Sequence, residues 1–165
     1  MNQRSADADS AVSGLPASLR DSVQSALDDL LHALPSATAD TDGPWRDAAP
    51  RVLASSGFVR DLCTRRPQLL DALIASGRLE QAEDAAALSR LIASELEAVA
   101  DEATLRATLR HLRAREMLRI AWRDLAGWAD LDETLTALSA LADACIDGAL
   151  THLHAWLCEQ VGMPR

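Results

Sequence analysis

A chain of 165 residues is about one domain long and can bury a core. Alanine and leucine supply 59 residues against 18 for valine, isoleucine and threonine, which excludes an extended sheet and predicts an all-α fold built as a helical bundle. A net charge of −9 weighs against nucleic acid and membrane surfaces as partners, and an all-arginine basic set excludes a P-loop or Schiff-base lysine within this chain.

Residues 1–15 are rich in Ser, Ala and Asp without periodicity and read as a disordered tail, leaving 16–165 as the helical domain. A first helix, capped by Ser18, carries Leu19, Val23, Leu27, Leu30 and Leu34 on one stripe and ends at Pro35. Pro35 to Pro44 has the composition of a turn and linker. Short helices follow around Arg51–Ala54 and Phe58–Arg65, then one opened by Pro67 and closed by Gly77. Asp84 to Ala100 is amphipathic, with Leu88, Ile92 and Leu96 inward, and Asp101 is the expected cap of a long central helix.

That central helix places Leu105, Leu109, Leu112, Glu116, Ile120 and Arg123 on one stripe, with Leu118, Trp122 and Leu125 on a second apolar face. Gly127 should end it. Asp130 and Glu133 have capping-box spacing for a last helix, so the two are expected to form an αα-hairpin. The last helix is expected to run to Val161 with a seam at Leu131, Leu135, Leu138, Ala142, Cys145, Ala149, His152 and Trp156.

Charges inside an apolar stripe must be paired or must face a polar surface, so Glu116 and Arg123 read either as a buried ion pair or as support for another domain. Arg106, Arg110 and Arg113, and Arg115, Arg119 and Arg123, make two basic rows suited to phosphate or, more simply, to the chain's own acids. His152, His154 and Cys158 do not converge as a metal site needs, and Asp130/Asp132 sit where capping explains them. Cys63, Cys145 and Cys158 show no CxxC spacing, and no signal peptide opens the chain, which points to a reducing cytoplasm. No complete active site is visible.

The block RAREMLRIAWRDLAGWADLDETLTALSALADACI, together with RVLASSGFVRDLCTRRPQLLDALIASGRL, resembles the glutamine synthetase adenylyltransferase family. The resemblance covers about Trp45 to Arg165. It implies a bifunctional enzyme with two nucleotidyltransferase halves, each preceded by helices, that adds adenylyl to glutamine synthetase and removes it by phosphorolysis. The Arg-Ile-Ala-Trp-Arg-Asp form resembles the N-terminal, adenylyl-removing half. The chain stops where that family's Asp-x-Asp strand would follow, so the resemblance implies an N-terminal fragment and carries over no catalytic residue. Glu116, Arg119, Arg123 and Asp124 are the candidates for supporting the adjoining domain. No cofactor is assigned to this chain. Magnesium and ATP are implied for the family protein, with glutamine synthetase and the PII signal protein as partners. The alternative is a free-standing helical interaction module without catalysis.

Overall fold

A computed structural model describes residues 17–162, and the expected tail at 1–15 lies outside them. The described chain is helix without strand: α1 (Ala17–Ala33), α2 (Ser36–Ala39), α3 (Pro44–Ser55), α4 (Gly57–Arg65), α5 (Pro67–Ala75), α6 (Ala85–Leu96), α7 (Glu102–Ala126) and α8 (Leu131–Val161). The all-α class follows. No described helix is long and apolar enough to cross a membrane.

Local signals explain most boundaries. The Ser56 side chain accepts from the Val59 N–H at 3.2 Å, Asp84 from Ala87 at 2.6 Å and Asp101 from Thr104 at 2.8 Å, so α4, α6 and α7 each begin on a side-chain cap. The Thr104 backbone and hydroxyl donors hold the Asp101 carboxyl below its ordinary pKa. Pro67 opens α5, and Gly77 takes φ +71 just beyond its end. At the end of α7 the Trp128 N–H bonds the Arg123 carbonyl at 2.9 Å and the Gly127 N–H bonds that of Asp124 at 3.0 Å, with Gly127 at φ +76. That is a Schellman closure.

Three local expectations need correction. Ser18 lies inside α1, which already runs at Ala17, so it does not cap the helix. The supposed linker at 35–44 contains α2, because the buried Thr38 hydroxyl donates to Asp71 of α5 and the Arg46 guanidinium donates to the Ala39 carbonyl. The helix expected around Arg51–Ala54 starts at Pro44 and runs through Pro50. Proline disfavours a helix interior, but burial of Trp45, Ala49, Val52 and Leu53 along one face outweighs its lost N–H bond.

The described chain divides into two compact units, residues 17–82 with 118–131 and residues 83–117 with 132–162. In the first, α1 packs on α3 and α4, and α2 on α5. Its core holds Val23, Leu27, Leu30, Trp45, Val52, Leu53, Val59, Cys63, Leu70, Leu73, Leu118 and Trp122. Burial pushes the Cys63 thiol up to about 12.

The second unit has a thinner core, drawn from Leu88, Ile92, Leu96, Leu105, Leu112, Ala140, Leu141 and Ala144. The seam expected on α8 is rotated. Leu131 and Leu135 are exposed, whereas the small residues Ala140 and Ala144 turn inward and Gly148 takes the Leu96 side chain where a Cβ would stand. A helix apolar on several sides offers more than one face to bury, and the close approach selects the side with the smallest residues.

Candidate functional site

The chemistry-bearing feature is the polar stretch of α7. Glu116 is 0 % exposed, Arg119 1 % and Arg123 4 %, on a helix whose Leu112, Leu118, Ile120 and Trp122 are also buried. Charges so placed persist only when partnered, because desolvation costs several kcal/mol per ion.

Glu116 belongs to the second unit. Its Oε1 accepts from the Arg115 Nε at 2.9 Å, and the Arg115 Nη2 reaches Glu95 of α6 at 2.7 Å. Arg115 therefore bridges two carboxylates. Burial alone would lower its pKa, but the hydrogen bonds and charges of Glu95 and Glu116 more than reverse that and hold it above its ordinary value. Nearby, desolvation raises the Cys145 thiol, with Arg113 opposing and Glu116 adding to the shift.

Arg119, Arg123 and Asp124 belong to the first unit. Arg123 donates to the backbone carbonyl of Glu80 and, at 3.5 Å, to that of Trp128. One guanidinium thus ties the end of α7 to the segment after α5 and to the turn that closes α7 itself. Arg119 is among the largest fully buried side chains, while Asp124 is exposed and lends its carbonyl to Gly127. The sequence stripe singled out Glu116 and Arg123 correctly as interior. It set Arg115 in a row paired with the chain's own acids, which holds, without singling it out as the cation that bridges Glu95 and Glu116.

The basic rows are largely spoken for within the chain: Arg106 pairs with Glu102 one turn away, and Arg115 with Glu95 and Glu116. At the far end of α8, the Cys158 Sγ lies 3.6 Å from the His154 Nε2, whereas the His152 Nε2 faces the Leu96 carbonyl at 3.0 Å and its Nδ1 the Gly148 carbonyl at 2.9 Å. His152 thereby serves an end carbonyl of α6, a role invisible in spacing alone. Among the described residues no group of three His, Cys, Asp or Glu could hold a metal ion. Two shallow clefts, about 230 Å³ beside Trp45 and Glu80 and about 350 Å³ beside Leu135 and Asp143, offer no converging set of catalytic side chains.

With no catalytic constellation in the described residues, kinship carries the assignment. The family model for glutamate-ammonia ligase adenylyltransferase matches residues 47–165. The chain belongs to that family. It is 43% identical over 151 residues to the bifunctional glutamine synthetase adenylyltransferase/adenylyl-removing enzyme of Thioalkalivibrio sulfidiphilus, covering 92% of this chain and 16% of that one. The enzyme of the same description from Pseudomonas putida is 39% identical over 156 residues, with the same coverage. That from Pseudomonas aeruginosa is 46% identical over 114 residues, covering 69% of this chain and 12% of the relative. The chain thus spans about one sixth or less of the length of the curated relatives it matches. No solved structure matches it.

Proposed function

We propose that this chain is the helical lead-in of the adenylyl-removing half of a bifunctional glutamine synthetase adenylyltransferase, acting from the N-terminal side as a scaffold for a nucleotidyltransferase domain. The observation that carries the reading is the family match over residues 47–165, which spans the whole polar stretch of α7. Glu116, Arg119, Arg123 and Asp124 are its supporting residues: the first three are buried charges that make α7 a stiff element, and Asp124 is exposed at its end, so that an adjoining domain can be held in register. Glutamine synthetase would be the substrate protein and the PII protein the regulator, in the cytoplasm.

Magnesium and ATP belong to the nucleotidyl-transfer chemistry of the whole family protein. The described residues do not fit the metal, since no three of their donors converge. What these residues would do is position: Arg123 fixes the end of α7 and Arg115 fixes α7 against α6.

The test compares three proteins incubated with adenylylated glutamine synthetase, phosphate and magnesium. The 165-residue chain alone should release no ADP. A chimera in which this chain replaces the matched stretch of the Thioalkalivibrio sulfidiphilus enzyme should release it, and that enzyme with the stretch deleted should not. ADP from the isolated chain, or a chimera no more active than the deletion, would overturn the scaffold reading.

A further inference from the structure

The outer face of α8 carries a row of large apolar side chains that nothing in its own unit covers. Ile146, Leu150, Leu153, Leu157 and Val161 are 57%, 60%, 46%, 55% and 73% exposed, and their spacing of four, three, four and four residues keeps them on one side of the helix. The row runs on the order of 22 Å at 1.5 Å per residue. The opposite side is the packed one, where Ala140 and Ala144 are buried, Gly148 meets Leu96 and His152 bonds the Leu96 carbonyl. A contiguous apolar stripe of this length left in water is the mark of a surface that is normally covered.

Charge narrows what covers it. Asp143 and Asp147 flank the stripe on one edge, and α8 contains no arginine or lysine from Leu131 to Val161. A second copy of the same face would bring acid to acid with nothing on either helix to offset it, in a chain already at net charge −9. An anionic membrane surface is disfavoured on the same ground. The chain also corresponds to only 16% of the Thioalkalivibrio relative, so most of a family-length polypeptide remains to supply a cover. The geometry points to an intramolecular docking face: the 146–161 stripe receives an apolar helical surface rimmed with arginine or lysine, contributed by the remainder of the family-length protein. This deepens the scaffold reading and rests on it for the existence of that remainder. It moves the principal contact from the α7 charges to the α8 leucines.

Hydroxyl-radical footprinting with mass spectrometry tests it without any substitution. Leu150, Leu153 and Leu157 should label strongly in the isolated chain and several-fold less in the chimera described above. Equal labelling in both would overturn the inference. So would protection already present in an isolated chain that sediments as a dimer, which assigns the face to a second copy, or protection of the chimera that appears only when glutamine synthetase is added. Reversing the rim with Asp143→Arg and Asp147→Arg, both exposed positions, should restore labelling in the chimera while leaving the isolated chain's helix content unchanged; undiminished protection would overturn the basic rim. The two readings fail separately. An active chimera with a fully labelled stripe refutes the docking face alone, and an inactive chimera with a protected stripe refutes the adenylyl-removing role alone.

Discussion

The second halves of α7 and α8 invert each other. On α7, residues that ought to seek water, Glu116, Arg119 and Arg123, are at most 4 % exposed. On α8, residues that ought to avoid it, Ile146, Leu150, Leu153, Leu157 and Val161, are at least 46 % exposed. Burial of charge is tolerable where hydrogen-bond partners are built in, as Arg115 does for Glu116 and the Glu80 carbonyl for Arg123. Exposure of a leucine row of this length is the feature that the proposed docking face accounts for. The contrast is that Glu116 and Arg123 of α7 find partners within the chain, whereas the α8 row has no cover among the described residues.

The largest expected effect breaks the α7 side of this contrast. Glu116→Leu or Arg123→Leu should each cost about 3–5 kcal/mol in urea unfolding, because the first takes a buried carboxylate from Arg115 and the second takes a buried donor from the Glu80 and Trp128 carbonyls. The sequence stripe also makes Glu116 and Arg123 partners of one another across two turns. Their double-mutant cycle should then show the paired change costing much less than the sum. Additive losses would leave Glu116 to Arg115 and Arg123 to the Glu80 and Trp128 carbonyls.

How far the sequence reveals all this depends on the kind of signal. The cap at Asp101, the Pro67 and Gly77 boundaries and the stop at Gly127 act through a few neighbouring atoms, so local sequence suffices to find them. The course of α3 through Pro50 does not yield to that reading, because the deciding term is tertiary burial of Trp45 and Leu53. The face of α8 that packs is likewise hidden, since its inward residues Ala140, Ala144 and Gly148 are chosen by how closely Leu96 can approach. At the candidate site, Glu116 and Arg123 stand out by breaking an apolar stripe. Arg115 does not, because its role comes from Glu95 on another helix.

A second effect contrasts the thiols of the two regions. Cys63, buried in the first unit with its thiol pushed up to about 12, should resist iodoacetamide in the native chain, while Cys158 near the end of α8 reacts. The raised value also sets a sign for stability. Cys63 keeps its proton in the folded chain at pH values where the unfolded chain has lost it, so its contribution is fully present below about 9 and is lost as pH rises towards 12. The decline in that window should approach ~1.4 kcal/mol per pH unit and should vanish in Cys63→Ala. An unchanged alkaline slope in the variant would show that the thiol is not the titrating group.

Gly148 tests the packed side of α8. A Cβ there runs into the Leu96 side chain, so Gly148→Ala gains helix propensity of about 1 kcal/mol and loses about 1–3 kcal/mol to overpacking. The net should be a destabilisation of up to about 2 kcal/mol, read from thermal unfolding. A stabilised variant would show that Leu96 moves aside freely and that the small-residue face is not what fixes the rotation of α8.

The smallest effect is the most telling for the open side. Leu157 is 55% exposed and is the fourth of the five residues of the uncovered row, so Leu157→Gln removes little buried apolar area from the isolated chain. Glutamine keeps much of the length of leucine and has helix propensity close to it, which leaves backbone terms nearly unchanged. Unfolding free energy of the isolated chain should therefore move by no more than about 0.5 kcal/mol. The same substitution in the chimera, where the stripe meets its cover, should lower thermal stability measurably, because there it places an amide in an apolar contact. A loss of several kcal/mol in the isolated chain would mean that Leu157 is already packed in solution, and the inversion between α7 and α8 would collapse.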